Sequence, residues 1–243
     1  LFHLTLLRQL GNRLSGRSYS VKGGICMRFF HRSPRLSEDM DLDIAANVRV
    51  ETLRKAVDSV INGRAMIASL IPAGVTRLFA TAPKQTDTTQ RWKIALILSG
   101  GDDLRTKVEF SRRGEDLDYR TGVPDAELLR YYKMPPFAAQ YCGSDSMAVQ
   151  KIIALAAPQR NALRDLFDLH HLLFVIKAGP KGPGLSSEVL EKAADKVGRF
   201  DFETFQGQVL PYLTKDLIDL YKDSTVFEQQ KADVERVLAE MAR

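Results

Sequence analysis

The chain has 243 residues, with 35 Lys and Arg against 30 Asp and Glu, which gives a net charge of +5. Apolar residues make up 44% and charged residues 27%, an ordinary globular composition that excludes a disordered or fibrous chain. At about 100–200 residues per domain, the length predicts one or two domains. Cys26 and Cys142 are too few for a disulfide framework or a cysteine-based zinc site, so we expect free thiols in a reducing cytosol.

Membrane insertion and secretion are not expected. The apolar runs fall far short of the roughly 18–20 residues that a membrane span requires. The first residues, LFHLTLLRQLGNRL, do not form a signal peptide, because their basic residues interrupt or follow the apolar stretch instead of preceding it. We therefore expect a cytoplasmic protein without a membrane partner.

Hydrophobic spacing in the first half alternates between helical and strand patterns. The predicted elements are a helix over 3–15, a strand over 19–21, a helix over 25–30, a strand over 41–45, a helix over 51–70, and strands over 91–98 and 104–110. The polar run 82–90 (APKQTDTTQ) predicts an exposed loop.

The pattern changes after Pro124, and nearly everything beyond residue 144 reads as helix. The predicted helices span 145–156, 162–177, 187–197, 202–222 and 226–242. We therefore predict an α+β fold in which a mixed sheet with flanking helices precedes an all-helical half. The expected domains are an α/β core over 1–125, which carries the catalytic acids, and a helical domain over 126–243, which completes the same site.

Charge is unevenly distributed near the N-terminal end. Residues 1–37 hold seven basic side chains and no acidic one, whereas the next six residues, EDMDLD, hold four acids. A basic field beside an acid cluster suits a polyanion that is brought to a metal ion. Alternatively, Arg8, Arg13 and Arg17 only solvate one face of a helix.

The most informative stretch joins a Gly pair to a row of acids. Gly23-Gly24 follows a predicted strand and precedes a short helix, and the acids lie in the run Ser37–Asp43. Glycines let the backbone approach a phosphate, and the N–H groups of the next helical turn point at it. Asp39, Asp41 and Asp43 share one strand face if the strand begins early.

Clustered carboxylates require a cation. Two of them about 4 Å apart repel by roughly 1 kcal/mol in water and by more when shielded. Mg²⁺ prefers one or two protein carboxylates together with phosphate oxygens, so Asp39 and Asp41 fit a phosphoryl- or nucleotidyl-transfer site. A third acid is expected on a neighbouring strand, and Glu109 fits because Val108 and Phe110 face the opposite side. Alternatively, Glu109 is an ordinary solvent-facing strand residue.

The run Gly23-Gly24…Arg35-Leu36-Ser37-Glu38-Asp39-Met40-Asp41 resembles the signature of the DNA polymerase β-like nucleotidyltransferase superfamily. More narrowly, RLSEDMDLDI resembles the AbiEii/AbiGii-type toxins, which include the MenT-type tRNA-modifying toxins. The second half is similar to the same toxins, because Lys151, Arg160 and the run Arg164–Leu169 match their K…AL…R…RDxxDL pattern. The resemblance covers about residues 20–175.

The resemblance implies roles for the residues that bind the nucleotide. Gly23 and Gly24 would cradle the nucleoside triphosphate (NTP), Ser37 would hydrogen-bond a phosphate oxygen, and Arg35 would support the loop or the phosphates. Asp43 lies beyond the two-acid motif and is expected to be structural.

The resemblance also implies the catalytic set. Asp39 and Asp41 would bind Mg²⁺, which Mn²⁺ could replace, and Glu109 would be the third metal-binding carboxylate and help to deprotonate the attacking hydroxyl. Lys151 would neutralise the triphosphate or the leaving pyrophosphate.

The resemblance further implies that Asp165 or Asp168 would orient Lys151 or contact the nucleotide. Without the resemblance, Arg164 and Asp168 are four residues apart on a helix and form a plain surface pair worth about 0.3–0.5 kcal/mol. Lys151 is then an ordinary helix lysine, and Ser37 only turns the chain before the strand.

Histidine and cysteine offer weaker candidates. His170 and His171 are adjacent on a predicted helix, face different sides and therefore cannot clamp a metal ion. His31 and the two histidines are expected to be packing or surface residues. Cys26 follows the Gly pair, but no base is spaced to activate it as a nucleophile.

The sequence therefore predicts a metal-dependent nucleotidyltransferase, in which an acceptor hydroxyl attacks the α-phosphate of an NTP and releases pyrophosphate. The resemblance implies an RNA acceptor, the 3′ end of tRNA, and a cognate antitoxin protein as a further partner. The basic N-terminal segment would help to hold the RNA, with salt-sensitive affinity.

Three alternatives stay open at this point. The first is a metal-dependent nuclease, which is disfavoured because Ser111 stands where the usual Asp…Glu-x-Lys order needs lysine. The second is a non-catalytic module that binds a nucleotide or RNA. The third keeps the chemistry but transfers the nucleotide to a hydroxyl of a protein or a small molecule.

Overall fold

The computed structural model describes residues 1–112, 118–160, 162–182 and 184–243. Within them the chain divides into two units. The sheet unit consists of Leu1–Phe30 and Ser37–Cys142, and the helical unit consists of His31–Leu36 and Gly143–Arg243. The short segment between the Gly pair and the acids therefore belongs to the helical unit, although the residues on either side of it do not.

A mixed sheet with the strand order β3-β4-β5-β2-β1-β7-β6 forms the sheet unit. Its strands are β1 (Tyr19–Lys22), β2 (Met40–Ile44), β3 (Val75–Gln85), β4 (Thr89–Leu98), β5 (Asp103–Ser111), β6 (Arg120–Gly122) and β7 (Ala139–Tyr141). The pairs β2–β5 and β1–β7 are parallel, and the other pairs are antiparallel. β2 consequently lies between β1 and β5 in the middle of the sheet.

Helices flank this sheet and share its core. They are α1 (Phe2–Leu10), α2 (Gly23–Phe30), α3 (Val50–Ile61), α4 (Arg64–Leu70) and α5 (Ala126–Tyr131), with a 3-10 turn over Ile71–Ala73. Alternate residues of β4 and β5 are buried, among them Ile94 and Val108, and Trp92 and Phe110 meet edge to face at 5.8 Å in this core. The indole Nε1 of Trp92 donates a hydrogen bond to Asp58 on α3 at 2.7 Å, so the one polar atom of this buried ring is satisfied.

The helical unit has its own aromatic core. Its elements are α6 (Ser144–Ala156), α7 (Arg164–His170), a π-helical turn (His171–Val175), α8 (Ser187–Gly198), α9 (Phe202–Gln208), a 3-10 turn (Leu210–Tyr212), α10 (Lys215–Tyr221) and α11 (Ser224–Ala242). Phe205 is fully buried at the centre and contacts the rings of Phe167, Tyr221 and Phe227 at 5.1–6.4 Å. Among the described residues, no helix is both long and apolar enough to span a membrane.

The predicted fold class is confirmed: a mixed sheet with flanking helices is followed by a helical half. The predicted strands over 19–21, 41–45, 91–98 and 104–110 are present, as are the helices over 145–156, 187–197 and 226–242, each within a few residues of the expected ends. The helix that follows β1 begins on the Gly pair itself, at Gly23. That residues 126–243 complete the site of residues 1–125 stays a prediction.

One predicted helix was too long, and two were wrongly predicted as continuous. The first helix ends at Leu10 instead of residue 15. The helix expected over 51–70 is broken between α3 and α4, where Gly63 is extended. Glycine suits this position because a β-carbon would lie 2.9 Å from the Ser59 carbonyl oxygen. The helix expected over 202–222 is interrupted at Pro211, which has no N–H for a helical hydrogen bond.

The prediction of a loop over 82–90 is wrong. β3 continues to Gln85 and β4 begins at Thr89, so only a tight turn separates them. The Thr86 N–H donates to the Thr89 carbonyl at 2.9 Å and closes the hairpin. Pro83 is tolerated because β3 is an edge strand and its register shifts between Thr81 and Lys84.

Candidate active site

The turn from β1 into α2 brings backbone close to a carboxylate. Gly23 has a φ of +67°, in the left-handed region that favours glycine. A β-carbon at this position would lie 3.0 Å from Oδ2 of Asp41, so glycine is required both for its conformation and for its lack of a side chain. The first N–H groups of α2, which have no helical acceptors, begin at the same point.

Asp41 sits between two charged neighbours in the sheet. It pairs with Lys22 across the antiparallel β1–β2 ladder and with Glu109 across the parallel β2–β5 ladder. Residues opposite each other in a sheet share a face, so the three side chains project from the same side. Glu109 therefore lies on the strand beside the acids, as the sequence predicts.

Three of the four acids in this region are neutralised by a nearby cation. The carboxylate of Asp39 accepts from the Lys107 amine at 3.1 Å and from the Lys107 backbone N–H at 3.0 Å. Glu109 pairs with Nε of Arg91 at 2.5 Å.

Asp43 pairs with the Lys22 amine at 2.5 Å, in accord with its expected structural role. None of the described residues donates a hydrogen bond to the carboxylate of Asp41 or forms an ion pair with it.

The environment of Asp41 disfavours its charge. Burial raises the pKa of this carboxyl above its ordinary 3.8, and the neighbouring charges of Glu109 and Asp39 raise it further. Lys107 and Lys22 act in the opposite direction without cancelling these effects. Ionised Asp41 is thus a half-buried anion whose stabilisation by the protein alone is incomplete.

The donor set suits a hard divalent cation. Asp39 and Asp41 supply carboxylate oxygens, and an Asp41 that lacks a partner would gain most from a bound cation. No three acidic, histidine or cysteine side chains of the described residues lie close enough to hold an ion together. A two-carboxylate site, with phosphate and water completing the shell, matches the preference of Mg²⁺.

Ser37 and Arg35, neighbours in the motif, are used differently. Ser37 Oγ donates to the backbone carbonyl of Asp39 at 3.2 Å and turns the chain into β2. Arg35 is buried, with 4% of its side chain exposed. Its guanidinium forms two parallel hydrogen bonds to Asp168, from Nε at 3.0 Å and from Nη2 at 2.7 Å, and Nη1 donates to the Leu36 carbonyl at 3.0 Å.

A buried ion network therefore fixes the His31–Leu36 segment within the helical unit. Asp168, which is fully buried, also accepts from the Lys151 amine at 2.7 Å. Lys151 donates at 2.7 Å to Asp165, which is paired in turn with Arg160 at 2.6 Å. The structure thus brings four of the predicted residues together: Arg35, Lys151, Asp165 and Asp168.

Charge pairing keeps both acids of this network ionised. Burial alone would raise the pKa of Asp168, but the charges of Lys151 and Arg35 and their hydrogen bonds outweigh it and lower the pKa. The pKa of Asp165 is lowered in the same way, against burial, by Lys151 and Arg160. Burial likewise opposes the charge of Lys151, but Asp168 and Asp165 raise its pKa.

The structure corrects the surface pair considered for Arg164 and Asp168. Asp168 points into the network, whereas Arg164 is exposed and lies over the ring of Tyr212, 5.2 Å from its centroid. The predicted orientation of Lys151 by Asp165 and Asp168 agrees with their hydrogen bonds. Contact of any of these residues with a nucleotide stays a prediction.

The histidines and cysteines have structural positions. His171 is buried and its Nε2 donates to the His31 carbonyl at 2.7 Å, while His170 stacks on Phe174. Both cysteines are buried, and neither forms a disulfide with a residue that the structure describes; burial raises the pKa of the Cys142 thiol to about 12.

Sequence reasoning missed the basic partners of the acids. Lys22, Arg91 and Lys107 each neutralise one carboxylate of the region. A signal was available for Lys107, which lies two residues before Glu109 and shares its strand face. Arg91 lies in a strand that the sequence predicts, but its pairing with Glu109 could not be predicted without the register of β4 and β5.

Comparison with solved structures identifies the fold as that of nucleotidyltransferases. MenT4, the nucleotidyltransferase toxin Rv2826c from Mycobacterium tuberculosis H37Rv, is 14% identical, with a TM-score of 0.61 over 98% of this chain and 85% of MenT4. JHP933 from Helicobacter pylori is 18% identical, with a TM-score of 0.56 over 99% of this chain and 90% of that protein. A comparison with curated proteins finds no match.

The family is established by sequence. The model of the family described as "Nucleotidyl transferase AbiEii toxin, Type IV TA system" matches residues 5–242, nearly the whole chain. The protein is therefore a nucleotidyltransferase, and it belongs to the AbiEii toxin family of type IV toxin–antitoxin systems. Membership confirms the resemblance stated from the motifs and favours nucleotidyl transfer over the nuclease alternative.

We predict that Asp168→Asn strongly destabilises the protein. The substitution keeps the size of the side chain but leaves Arg35 and Lys151 buried with one acid fewer, and breaking a buried pair costs about 3–5 kcal/mol. The free energy of unfolding from urea titration measures the loss. Arg164→Gln on the same helix is the control and should cost less than about 1 kcal/mol, because it removes only an exposed contact with an aromatic ring. Equal small losses for both variants would contradict the buried network.

The same network predicts a pH window for stability. Because the folded pKa of Asp165 and Asp168 is lowered, their contribution is complete above about pH 4 and is lost as the pH falls through the lowered values. Because the folded pKa of Lys151 is raised, its contribution is complete below pH 10.5 and is lost above it. Urea titrations of the wild type across this range should show both losses, and Asp168→Asn should weaken the acid limb.

We further predict that Asp41→Asn stabilises the protein in the presence of a chelator. Since the folded pKa of Asp41 is raised, its ionisation opposes folding at neutral pH, and the amide removes this cost. The Tm should rise by about 2–4 °C for each kcal/mol relieved. The gain should shrink as the pH falls and Asp41 of the wild type is protonated. Asp43→Asn, which removes the partner of Lys22, should not raise the Tm; a similar rise there would refute the special position of Asp41.

Proposed function

We propose that this protein transfers a nucleotide from an NTP to a hydroxyl of an RNA acceptor, the 3′ end of tRNA, in a reaction that depends on Mg²⁺ and releases pyrophosphate. The observation that carries the proposal is Asp41. Its half-buried carboxylate has no partner among the described residues and lies on the same sheet face as Glu109. It also lies so close to Gly23 that a β-carbon at that residue would be 3.0 Å from Oδ2. A carboxylate held in this state beside a helix N-terminus suits a cation and a polyphosphate together.

The Gly pair is proposed to bind the triphosphate. Gly23 leaves the start of α2 open to close approach, and the free N–H groups of the first turn favour an anion. Ser37, which is half-buried, is proposed to donate to a phosphate oxygen by exchanging its hydrogen bond to the Asp39 carbonyl. Both contacts would position the α-phosphate without any change in the strands.

Asp39 and Asp41 are proposed to hold Mg²⁺. Glu109 would become a further ligand only if its side chain moved, since no three acids of the described residues lie close enough to hold an ion together. When bound, the ion would neutralise charge on the phosphates and orient them. Mn²⁺ takes similar oxygen ligands and is expected to substitute. Asp39 can bind the ion when the amine of its partner Lys107, a flexible side chain that is only 32% exposed, turns away.

Glu109 is proposed to accept the proton of the attacking hydroxyl. Only 16% of its side chain is exposed, and the ion pair with Arg91 keeps its carboxylate oriented on the face that carries Asp41. The proposed role of Lys151 in neutralising pyrophosphate stays a prediction, since its amine is held by two acids within the helical unit.

The family description supports a cognate antitoxin as a protein partner, and the proposal includes one. An RNA acceptor is supported by the basic N-terminal segment. Arg8, Arg13 and Arg17 are exposed and make no ion pair with the described residues. Such side chains would bind the RNA backbone through its phosphates, with an affinity that falls as salt rises.

We predict that label from an α-labelled NTP is transferred to tRNA by the wild type in the presence of Mg²⁺. Asp41→Asn should reduce the rate by at least about a hundredfold, because the substitution removes the charge that binds the cation while the fold is kept. Asp216→Asn, which changes an exposed acid on α10, is the matched control and should retain the wild-type rate. The assay is run with each NTP in turn and with total tRNA, and the labelled product is resolved on a denaturing gel.

The other outcomes identify the alternatives. Label on a protein or small molecule would replace the RNA acceptor with another hydroxyl. Shortened RNA without label would make the protein a nuclease. Intact RNA without label, together with tight NTP binding, would make it a non-catalytic module. Equal activity of Asp41→Asn and the wild type would remove Asp41 from the site.

We also predict that Gly23→Ala impairs NTP use. The fold holds this position in the left-handed conformation, which costs alanine about 1–2 kcal/mol, and the new β-carbon presses on Asp41. The KM for NTP should rise and kcat should fall in steady-state labelling. Gly101→Ala is a close control, because Gly101 has a φ of +91° and nothing within 4 Å of its β-carbon position. Gly101→Ala introduces similar backbone strain away from the candidate site. Equal activity of the two variants would argue against the proposed phosphate cradle.

A further inference from the structure

One face of the sheet carries many exposed side chains and is strongly basic. The outward side chains of β3, β4 and β5 include six cations, a group that we call the basic sheet face. They are Arg77, Lys84, Arg91, Lys93, Arg105 and Lys107. Two acids lie among them, Asp103 at one end and Glu109 at the other. The face thus has a net charge of +4, close to that of the whole chain.

The cations are ordered in rows that lead to the candidate catalytic acids. In the first row, Lys84, Arg91, Glu109 and Asp41 follow one another across four strands. At a strand spacing of about 4.8 Å, the row crosses roughly 14 Å of sheet.

The second row contains Thr81, Lys93 and Lys107, and Lys107 contacts Asp39. Successive rows are about 7 Å apart along the strands. Both of these rows therefore end at an acid of the candidate site.

Much of this charge is free. Arg77, Lys84 and Lys93 form no ion pair with any residue that the structure describes. All three are exposed. Free cations on a firm sheet bind a polyanion without first breaking an internal pair, so they are suited to phosphates.

An exposed aromatic ring lies on the same face. Phe79 is 55% exposed and stands in a third row with Ala95 and Arg105. Its neighbour on β4 is the small side chain of Ala95. Exposed aromatic rings among cations are the combination that binds single-stranded nucleic acid, because bases stack on the ring while phosphates meet the charges.

We infer that the basic sheet face binds the single-stranded part of the RNA acceptor and directs its end toward Asp41 and Glu109. The inference rests on the proposed function and adds to it a surface other than the N-terminal basic segment. Phosphates would lie along Lys84 and Lys93, and a base would stack on Phe79. The chemistry recognised is a flexible polyanion with exposed bases, which excludes a folded acidic protein as the preferred ligand.

Equilibrium binding tests the inference without any nucleotide transfer. A short fluorescein-labelled oligouridylate is titrated with the full chain in the absence of NTP, and anisotropy is followed at several salt concentrations. For Lys84→Gln/Lys93→Gln we expect a loss of affinity of at least about tenfold, with the slope of log K against log salt reduced by roughly 1.4, about 0.7 for each phosphate contact to a single strand.

Matched variants locate the effect. Lys55→Gln/Arg64→Gln removes the same charge from exposed positions on α3 and α4 and should leave affinity and slope unchanged. Phe79→Ala should weaken binding about fivefold or more with an unchanged salt slope, since stacking releases no counterions. Arg13→Gln/Arg17→Gln measures the separate contribution of the N-terminal segment.

Three results would overturn the inference. One is wild-type affinity and slope in Lys84→Gln/Lys93→Gln together with wild-type affinity in Phe79→Ala. Another is an equal loss in Lys55→Gln/Arg64→Gln, which would show that only net charge matters. The third is tighter binding of poly-L-glutamate than of RNA to the face, which would assign it to an acidic protein.

Failure of the proposed function is recognised separately. If the wild type labels tRNA while Lys84→Gln/Lys93→Gln keeps the wild-type KM for tRNA, the inference fails and the RNA transferase stands. If the wild type binds no RNA and labels another acceptor, the RNA acceptor and the inference fail together.

Discussion

The carboxylate of Asp41, which has no partner among the residues that the structure describes, is the constraint on which the candidate site depends. It lies on a central strand, so it cannot move away from Glu109 on β5 or from the start of α2 beside β1. Each neighbouring acid has a basic partner, which limits the repulsion that Asp41 experiences. The protein thus tolerates one incompletely stabilised charge instead of several. Functional sites commonly keep such a local cost, because the same charge is stabilised when the ligand binds.

The motif that identifies the family is divided between two physical tasks. In Arg35-Leu36-Ser37-Glu38-Asp39, the arginine is buried in the ion network of the helical unit, whereas the serine turns the chain into β2. Arg35 and Asp168 are 133 residues apart, and their bidentate pair closes that long loop with a charge-assisted contact. The pair explains why an arginine stands here: lysine cannot supply two parallel donors to one carboxylate.

Local patterns in the sequence predict the part of the fold that surrounds the acids, and fail where long-range pairing decides. The alternation in β2, β4 and β5 and the Gly pair at α2 are local signals, so these elements were predicted. β3 was missed because Pro83 and a polar run mark a loop locally, and only pairing with β4 makes them a strand. The same limit applies to the site, where Asp41 and Glu109 could be placed on adjacent strands. The partners of the acids and the buried pair Arg35–Asp168 required the sheet register and the packed helices.

The position of the cations decides between two explanations of the basic sheet face. Cations on an exposed edge strand discourage pairing with other molecules, and this is sufficient for Arg77 and Lys84 on β3. It does not account for Lys93, because β4 is an interior strand with both edges paired, whereas Lys107 on β5 pairs with Asp39. Like charges on adjacent interior strands oppose folding, and Lys93 faces Lys107 directly across the ladder. An anionic ligand that lies across the strands would offset the repulsion between these two lysines. This explains why the cost is tolerated on the face that carries Asp41 and Glu109.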